Sequence, residues 1–224
     1  MENEYRVIKD CNDPEVLVIT PLLPGHKISK ETKKTIKRND TQFRWITSTG
    51  KNNIPTNIEM GLDWYIKEYK VFPKFLFPLD NDIILGRKTI DRLVKTLARS
   101  DKDVAFCYAS FEFKGTVDRK FPADPYDIKR LLQHNYISSN SLFKTIIVYN
   151  IGFVTDNKYQ RLLDYAMILK LFYNGYKGIP CSNANFIAIS SEKDVSAQSG
   201  EDYKIKRERV LKDFGKPLTT PYFT

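Results

Sequence analysis

The sequence has no apolar run that approaches the roughly 18 to 20 residues of a membrane-spanning helix. Its N-terminal stretch, Met1-Glu-Asn-Glu-Tyr-Arg, carries too many charges for a secretory signal peptide. Low complexity is absent as well, because hydrophobic residues make up 42% of the 224 positions and charged residues 28%, as in an ordinary globular chain. These absences predict a soluble cytoplasmic protein without a transmembrane segment, able to bury a core.

Cysteine and histidine are scarce. Cys11, Cys107 and Cys181 are odd in number and lack any CxxC spacing, which argues against a disulfide framework or a zinc site and favours a reducing compartment. His26 and His134 are the only histidines, too few for a multi-histidine metal site. Catalysis, if present, is therefore expected to use carboxylates.

Positive charge is in excess, with 36 Lys and Arg against 27 Asp and Glu. A basic surface favours anionic partners such as nucleic acid, acidic lipid or phosphorylated small molecules. The local excesses at residues 27–38 and 204–212 do not interleave aromatic with basic residues, as a single-strand binder would. We therefore predict solvated basic faces and no nucleic-acid partner; a nucleic-acid-binding protein is an alternative supported by the charge alone.

Strand and helix patterns alternate over the first half of the chain. The strands are predicted at residues 15–23, 43–47, 75–79 and 104–113, and the helices at residues 29–38, 56–69 and 86–99. This alternation predicts an α/β fold, a Rossmann-like and mostly parallel central sheet flanked by helices.

The second half is predicted to add a loop over residues 115–127, a helix over 159–173 and a strand over 179–189. A charged surface helix is predicted over residues 200–214. Without an internal repeat or a clear linker, the chain is interpreted as a single domain over residues 1–190 with a polar C-terminal segment over 191–224.

Asp80-Asn81-Asp82 follows the apolar strand 75–79 directly. The carboxyl ends of parallel strands form the crevice in which such sheets bind ligands. Carboxylate oxygens placed there suit Mg²⁺ or Mn²⁺ bridging a diphosphate. The alternative is a turn rich in Asp and Asn, with both acids merely solvated.

Four short motifs follow one another along the chain. They are Val18-Ile-Thr-Pro21 at the end of a strand, Asn57-Ile-Glu-Met-Gly61 at the start of a helix, Leu79-Asp80-Asn81-Asp82, and Leu163-Asp164 opening an apolar helix that ends at Gly175. Gly152-Phe153 lies shortly before the last motif. In this order and spacing they resemble the motifs of family 2 glycosyltransferases of the GT-A fold, over roughly residues 16–179.

The resemblance implies a metal-dependent, inverting transfer of a sugar. The donor would be a UDP- or GDP-linked sugar, the acceptor a hydroxyl of a glycan or another molecule, and the cofactor Mn²⁺ or Mg²⁺. It also implies a set of residues that bind the nucleotide sugar: Pro21, Leu22, Leu23, Ser48, Thr49, Asn57, Asp80 and Asn81.

The resemblance further assigns roles to three carboxylates. Asp82 would coordinate the metal directly, and Asp80 would contact the metal, a metal-bound water or the ribose. Asp164 would be the catalytic general base that accepts the proton of the acceptor hydroxyl. The alternative for Asp164 is an acid at a helix N-terminus that interacts favourably with the helix dipole.

The sequence also departs from the family pattern. The Asp pair that usually follows the second strand is replaced by Thr47-Ser48-Thr49, so a hydroxyl of Ser48 or Thr49 would have to take its place. The usual Glu-Asp pair is Leu163-Asp164, which keeps only the second acid. The second acid is the one the family uses as base, so this departure leaves the chemistry intact. The loss of the Asp pair at Thr47 to Thr49 supports an alternative function, a catalytically degenerate GT-A domain that binds a glycan or a partner. Residues 137–143 lie where the family has its acceptor loop, although a plain polar turn fits them equally well.

Overall fold

The structure, a computed structural model, describes residues 3–50, 53–116, 118–190 and 201–214. Its strands are β1 (Glu4–Lys9), β2 (Val16–Leu22), β3 (Phe43–Thr49), β4 (Phe75–Pro78), β5 (Ile83–Leu85), β6 (Val104–Gly115), β7 (Arg119–Phe121), β8 (Leu142–Lys144) and β9 (Lys177–Ser190). Its α-helices are α1 (Lys30–Ile36), α2 (Ile54–Tyr69), α3 (Thr89–Ala98), α4 (Ile128–Gln133), α5 (Thr145–Ile151), α6 (Leu163–Tyr173) and α7 (Glu201–Phe214), and a 3-10 turn spans Asn157–Tyr159.

The strands form one mixed sheet in the order β1-β3-β2-β4-β8-β6-β9-β5, with β7 paired to β6. β3, β2 and β4 are parallel, as predicted, and β6 is parallel to β9. β1 and β5 are antiparallel to their neighbours, and β8 is antiparallel to both β4 and β6. The predicted α/β fold is therefore confirmed, and its parallel part is as predicted for β3, β2 and β4. The sheet as a whole is mixed, because β1, β5, β7 and β8 are antiparallel to the strands they pair with.

Both faces of the sheet are covered by helices. On β2, Val16 and Val18 belong to the core cluster that includes α1 and α3, and Leu17 and Ile19 belong to the cluster that includes α2 and α6. All four side chains are fully buried. A strand that is buried on both faces exposes no side chains to solvent, which explains why the apolar run of β2 is continuous.

The first two helices each begin at a residue whose side chain caps the helix N-terminus. Ser29 caps α1 by accepting a hydrogen bond from the Thr32 amide at 3.0 Å, as predicted. Asn53 caps α2 by accepting from the Thr56 amide at 3.1 Å. α2 therefore begins two residues before the predicted start at Thr56.

The predicted C-terminal helix is present as α7. Val210 on α7 is fully buried in the cluster that contains α6, and the Tyr159 hydroxyl donates to Asp213 Oδ2 at 2.6 Å. The Arg207 guanidinium donates to the carbonyls of Leu132 and Gln133 at the end of α4. α7 is thus docked on the domain rather than a plain surface helix, and the remainder of the predicted segment, residues 191–200 and 215–224, lies outside the described residues. None of the helices in the described ranges combines the length and the apolar character needed to cross a membrane.

Candidate active site

A cleft of about 810 Å³ opens at the carboxyl ends of β2 and β4. Six of the residues predicted from the sequence line it, five from the ends of β2 and β4 and one from α6. They are Pro21, Leu23, Asp80, Asn81, Asp82 and Asp164. The carboxylate of the predicted base thus shares one cleft with both carboxylates of the Asp-Asn-Asp motif.

Asp80 is held by Asn140. The Asp80 backbone amide donates to Asn140 Oδ1 at 2.8 Å, and Asn140 Nδ2 donates to Asp80 Oδ2 at 2.8 Å. Ser139 Oγ lies at the longer distance of 3.5 Å from the same carboxylate oxygen. Burial raises the pKa of Asp80 above its ordinary value, and the hydrogen bonds from Asn140 and Ser139 oppose that rise. Asn140 therefore fixes both the backbone and the carboxylate at the end of β4.

Asn81 joins the same turn to the start of α1. Its Nδ2 donates to the Lys27 carbonyl at 3.0 Å, and its own carbonyl accepts from the Ser29 amide at 2.8 Å and from Thr32 Oγ1 at 3.1 Å. These bonds leave Asp82, half-buried on the cleft wall, at the exit from a fixed turn.

Asp80 and Asp82 form a donor set that suits a hard divalent cation. Among the described residues there is no cluster of three or more His, Cys, Asp or Glu side chains that could hold a metal. Mg²⁺ is usually bound by one or two carboxylates together with substrate phosphates and water, so a two-carboxylate site in an open cleft fits this chemistry. These two residues would hold the cation.

Four residues predicted to contact the donor are placed behind the cleft wall or at its margin. Asn57 is fully buried and its Nδ2 donates to the Leu22 carbonyl at 2.9 Å, so it holds the end of β2 rather than facing the cleft. Ser48 is fully buried, and a Cβ at Gly61 would lie 3.0 Å from the Ser48 Cβ. The predicted contact of Ser48 with the nucleotide is therefore not supported by its position, because α2 packs directly over it. Thr49 and Leu22 are half-buried and likewise do not line the cleft.

Asp164 lies in the first turn of α6. Its Oδ1 accepts from the Tyr165 amide at 2.7 Å, and its Oδ2 accepts from Asn135 Nδ2 at 3.3 Å. Burial raises the pKa of Asp164 from 3.8 to about 6, and the charge of nearby Asp80 contributes to the rise. A carboxylate with this raised pKa can take up and release a proton near neutral pH.

The turn that ends α5 is fixed from two sides. Gly152 has a φ of +72°, a conformation that favours glycine. Glu59 on α2 accepts from the Phe153 amide at 2.7 Å, and Lys170 on α6 donates to the Gly152 carbonyl at 2.9 Å. The Gly-Phe pair identified in the sequence thus anchors the segment that leads to Asp164.

Several other cleft residues were not predicted as site residues. Arg161, two residues before α6, lines the cleft and has a φ of +80°, a strained conformation for a residue with a side chain. Phenylalanines of β6, β7 and β9 form an apolar wall. These are Phe111, Phe113, Phe121 and Phe186. Asn135 and Asn140 were also missed, although Asn140 falls in the segment 137–143, which lies where the family has its acceptor loop.

No family model and no curated protein matches the chain. Among solved structures, S. aureus TarS 1-349 in complex with UDP-GlcNAc superposes with a TM-score of 0.64 at 12% identity, over 88% of this chain and 66% of TarS 1-349. The mannosyltransferase PcManGT from Pyrobaculum calidifontis, in complex with GDP-Man and Mn²⁺, gives 0.56 at 16% identity, over 92% of this chain and 66% of that one.

The chain has the GT-A fold. A197 from STIV matches too, with a TM-score of 0.53 at 10% identity, over 79% of this chain and 86% of that one. The chain thus spans just under two thirds of the length of TarS 1-349 and of the mannosyltransferase. In the GT-A fold described here, β2 and β4 carry one side of the cleft and α6 carries the other.

Proposed function

We propose that this chain is a glycosyltransferase that moves a sugar from a UDP- or GDP-linked donor to the hydroxyl of a glycan or another acceptor. The observation that carries the proposal is the shared cleft of Asp80, Asp82 and Asp164. Asp80 is close enough to Asp164 for its charge to raise the pKa of Asp164. A small molecule in the cleft can therefore contact both carboxylates at once. The complexes of TarS with UDP-GlcNAc and of PcManGT with GDP-Man and Mn²⁺ support the donor class.

The donor would lie against the ends of β2 and β4. Pro21 and Leu23 line this part of the cleft, and Asn57 fixes the Leu22 carbonyl beside them. Asp80 and Asn81 are available to the ribose and the diphosphate. Ser48 and Thr49 would support this wall from behind.

Asp82, with Asp80, would hold Mn²⁺ or Mg²⁺ against the diphosphate. When bound, the cation would neutralise the charge that develops on the departing nucleoside diphosphate. Arg161 lines the same cleft and brings a fixed positive charge of the chain itself. This part of the proposal rests on the two-carboxylate donor set and its position at the end of β4.

Asp164 would act as the general base. A pKa of about 6 leaves it ionised at neutral pH and still basic enough to accept the acceptor's proton as the new bond forms. Attack from the side of α6 on a donor held at the end of β4 would invert the anomeric centre. His134 and Asn135 line the approach from this side.

The test is a binding screen followed by a transfer assay. Thermal shifts are measured with UDP, GDP and other nucleoside diphosphates, each with and without Mn²⁺, because a ligand that binds only the folded state raises its stability. We expect a Mn²⁺-dependent shift with UDP or GDP, followed by hydrolysis or transfer of the matching nucleotide sugar. No shift with any nucleoside diphosphate would refute the proposal.

The degenerate GT-A domain is a second candidate function. The observation that favours it is the buried Ser48, which stands where the family carries a base-contacting acid. Glycan binding without nucleotide binding in the same screen would identify it. The free thiols Cys11, Cys107 and Cys181 suit the cytoplasmic location that we propose in either case.

A further inference from the structure

One short segment contacts both ends of the cleft. Residues 134–141, between α4 and β8, have the sequence His-Asn-Tyr-Ile-Ser-Ser-Asn-Ser and are called the polar strap below. Near its start, Asn135 donates to Asp164 at 3.3 Å, and near its end Asn140 exchanges two hydrogen bonds of 2.8 Å with Asp80. The polar strap is therefore the direct connection between the two carboxylates that the proposed reaction uses.

The polar strap is itself held in a defined shape. Tyr136 and Ile137 are buried at 3% and 1% exposure, and the Tyr136 hydroxyl accepts from the Asp127 amide at 2.9 Å. Ser138 Oγ accepts from the Asn140 amide at 3.1 Å, and Ser141 Oγ donates to the Ser138 carbonyl at 2.7 Å. A segment anchored by buried side chains and closed by its own hydrogen bonds can impose a position on the groups it contacts.

The contacts of position 140 use a donor and an acceptor on two separate atoms, as a carboxamide supplies them. Asn140 accepts from a backbone amide with Oδ1 and donates to a carboxylate with Nδ2, and only a side chain with both functions makes both bonds. An aspartate there would keep the acceptor but place a second negative charge against Asp80. An alanine would leave the amide and the carboxylate of Asp80 without these partners.

We propose that the polar strap positions the two reacting carboxylates, with Asn140 as the positioning residue for Asp80 and Asn135 as the positioning residue for Asp164. The inference rests on the proposed function, because it assigns the strap to the donor and acceptor ends of that site. Asn140 keeps Asp80 oriented beside Asp82, and Asn135 keeps Asp164 aimed into the cleft.

A matched control exists elsewhere in the fold. Like Asn140, Asn39 uses both ends of its amide: its Oδ1 accepts a hydrogen bond from the Ile90 amide at 2.7 Å, and its Nδ2 donates one to the Ile36 carbonyl at 3.0 Å. It is 6% exposed, against 3% for Asn140, and does not line the cleft. Its replacement reports the cost of losing a buried amide clamp without touching the site.

The first experiment compares Asn140→Asp, Asn140→Ala and Asn39→Asp. Affinities for UDP and GDP are measured by calorimetry with and without Mn²⁺, on samples shown to be folded by circular dichroism. We expect both Asn140 variants to lose about 10- to 100-fold of the Mn²⁺-dependent affinity, the usual effect of removing a group that orients a metal ligand. Asn39→Asp should keep it. Unchanged Mn²⁺-dependent affinity in Asn140→Asp would overturn the role of Asn140.

The second experiment needs neither nucleotide nor metal. The carboxyl carbon of Asp164 is titrated by NMR in the wild type, in Asn135→Ala and in Asn39→Asp. The titratable or charged groups that share the cleft are Asp80, Asp82, Arg119, His26, His134, Arg161 and Tyr203. The hydrogen bond from Asn135 lowers the pKa of Asp164, so its loss should move the midpoint to higher pH, whereas Asn39→Asp should leave it in place.

The two experiments separate the two claims. A wild type that binds neither UDP nor GDP in the presence of Mn²⁺ would remove the proposed function together with the assignment of Asn140. The Asp164 titration would still decide the role of Asn135. A midpoint that does not move in Asn135→Ala would overturn that role even if the chain proves to be a glycosyltransferase.

Discussion

The end of β4 and the start of α6 each place a carboxylate in the same cleft, yet they hold it differently. Burial raises the pKa of both Asp80 and Asp164. The Asp80 carboxylate accepts a hydrogen bond of 2.8 Å from Asn140, which also accepts one from the Asp80 backbone amide, whereas the Asp164 carboxylate accepts one of 2.7 Å from the amide of the next residue in its own helix and one of 3.3 Å from Asn135. The difference teaches that a desolvated carboxylate can be fixed by a distant side chain that also binds its backbone, or held mainly by the first turn of its own helix with a longer bond from a distant side chain. The first arrangement suits a metal ligand and the second a base.

The largest effect is expected at Asp164, at the start of α6. Asp164→Asn keeps the shape of the side chain but cannot accept the acceptor's proton, so sugar transfer should fall by about 10²- to 10⁴-fold. Donor affinity, measured by calorimetry, should stay within about twofold, because we propose that the donor lies at the other end of the cleft. Full transferase activity in the variant would show that the comparison assigns the base wrongly.

At the β4 end the expected effect is on binding. Asp82→Ala should remove the metal-dependent part of the affinity for a nucleoside diphosphate, a loss of about 10- to 100-fold. The exposed Asp63 on α2 provides the control, and Asp63→Ala should retain the full metal dependence. Calorimetry with and without Mn²⁺ gives the comparison, and equal metal dependence in the two variants would place the metal elsewhere.

The third prediction concerns stability. The folded-state pKa of Asp164 is raised from 3.8 to about 6, so its stabilising contribution is present at low pH and is lost as the pH rises through about 6. Asp164→Asn avoids this loss. Because Asp164 is partly open to the cleft and solvent screens the charge, the variant should gain about 1 to 2 kcal/mol at pH 7.5, less than the full shift implies.

Chemical unfolding at pH 7.5 and at pH 5 measures this gain, which should be smaller at pH 5. A simple helix-dipole role predicts the opposite sign, a loss of about 0.3 to 1 kcal/mol in the variant. A destabilised Asp164→Asn protein would therefore favour the dipole interpretation. The same comparison applied to Asp80→Asn should give a smaller gain, because that change forfeits the charged hydrogen bond from Asn140.

The smallest predicted effect is a displacement of a pH profile. Transfer should rise with pH as Asp164 ionises, with the midpoint of the rise at about pH 6 in the wild type. Asn135→Ala should move this acidic limb to higher pH, because it removes a hydrogen bond that favours the ionised form. The kcat profile from pH 5 to pH 8 provides the measurement, and superimposable limbs would contradict the prediction.

The sequence was informative where residues act through local pattern. The apolar run of β2, the turn at Asp80 to Asp82 and the acid at the start of α6 could all be located, because burial on both faces and motif spacing leave a mark in a single sequence. β8 could not, since three residues do not establish a period, and its direction is antiparallel to both of its neighbours.

The parts of the site that were missed depend on packing between distant segments. Asn140 lies 60 positions from Asp80 and sits in a polar stretch that also reads as an ordinary turn. Ser48 and Asn57 were predicted to contact the nucleotide, but α2 packs over Ser48, and Asn57 turns to the Leu22 carbonyl. Position in a motif predicts the neighbourhood of a side chain, and packing decides which way it faces.

The docking of α7 has a consequence for the order in which the protein is made. Val210 packs in a core that it shares with α4 and α6, and Arg207 donates a hydrogen bond to the Leu132 carbonyl at the end of α4. During synthesis the strands β1 to β4 leave the ribosome first, at about 5 to 20 residues per second, and can begin to associate while α7 is still untranslated. The half of the cleft that carries Asp164 must wait for α7, so we expect the donor side to take shape on the nascent chain before the acceptor side.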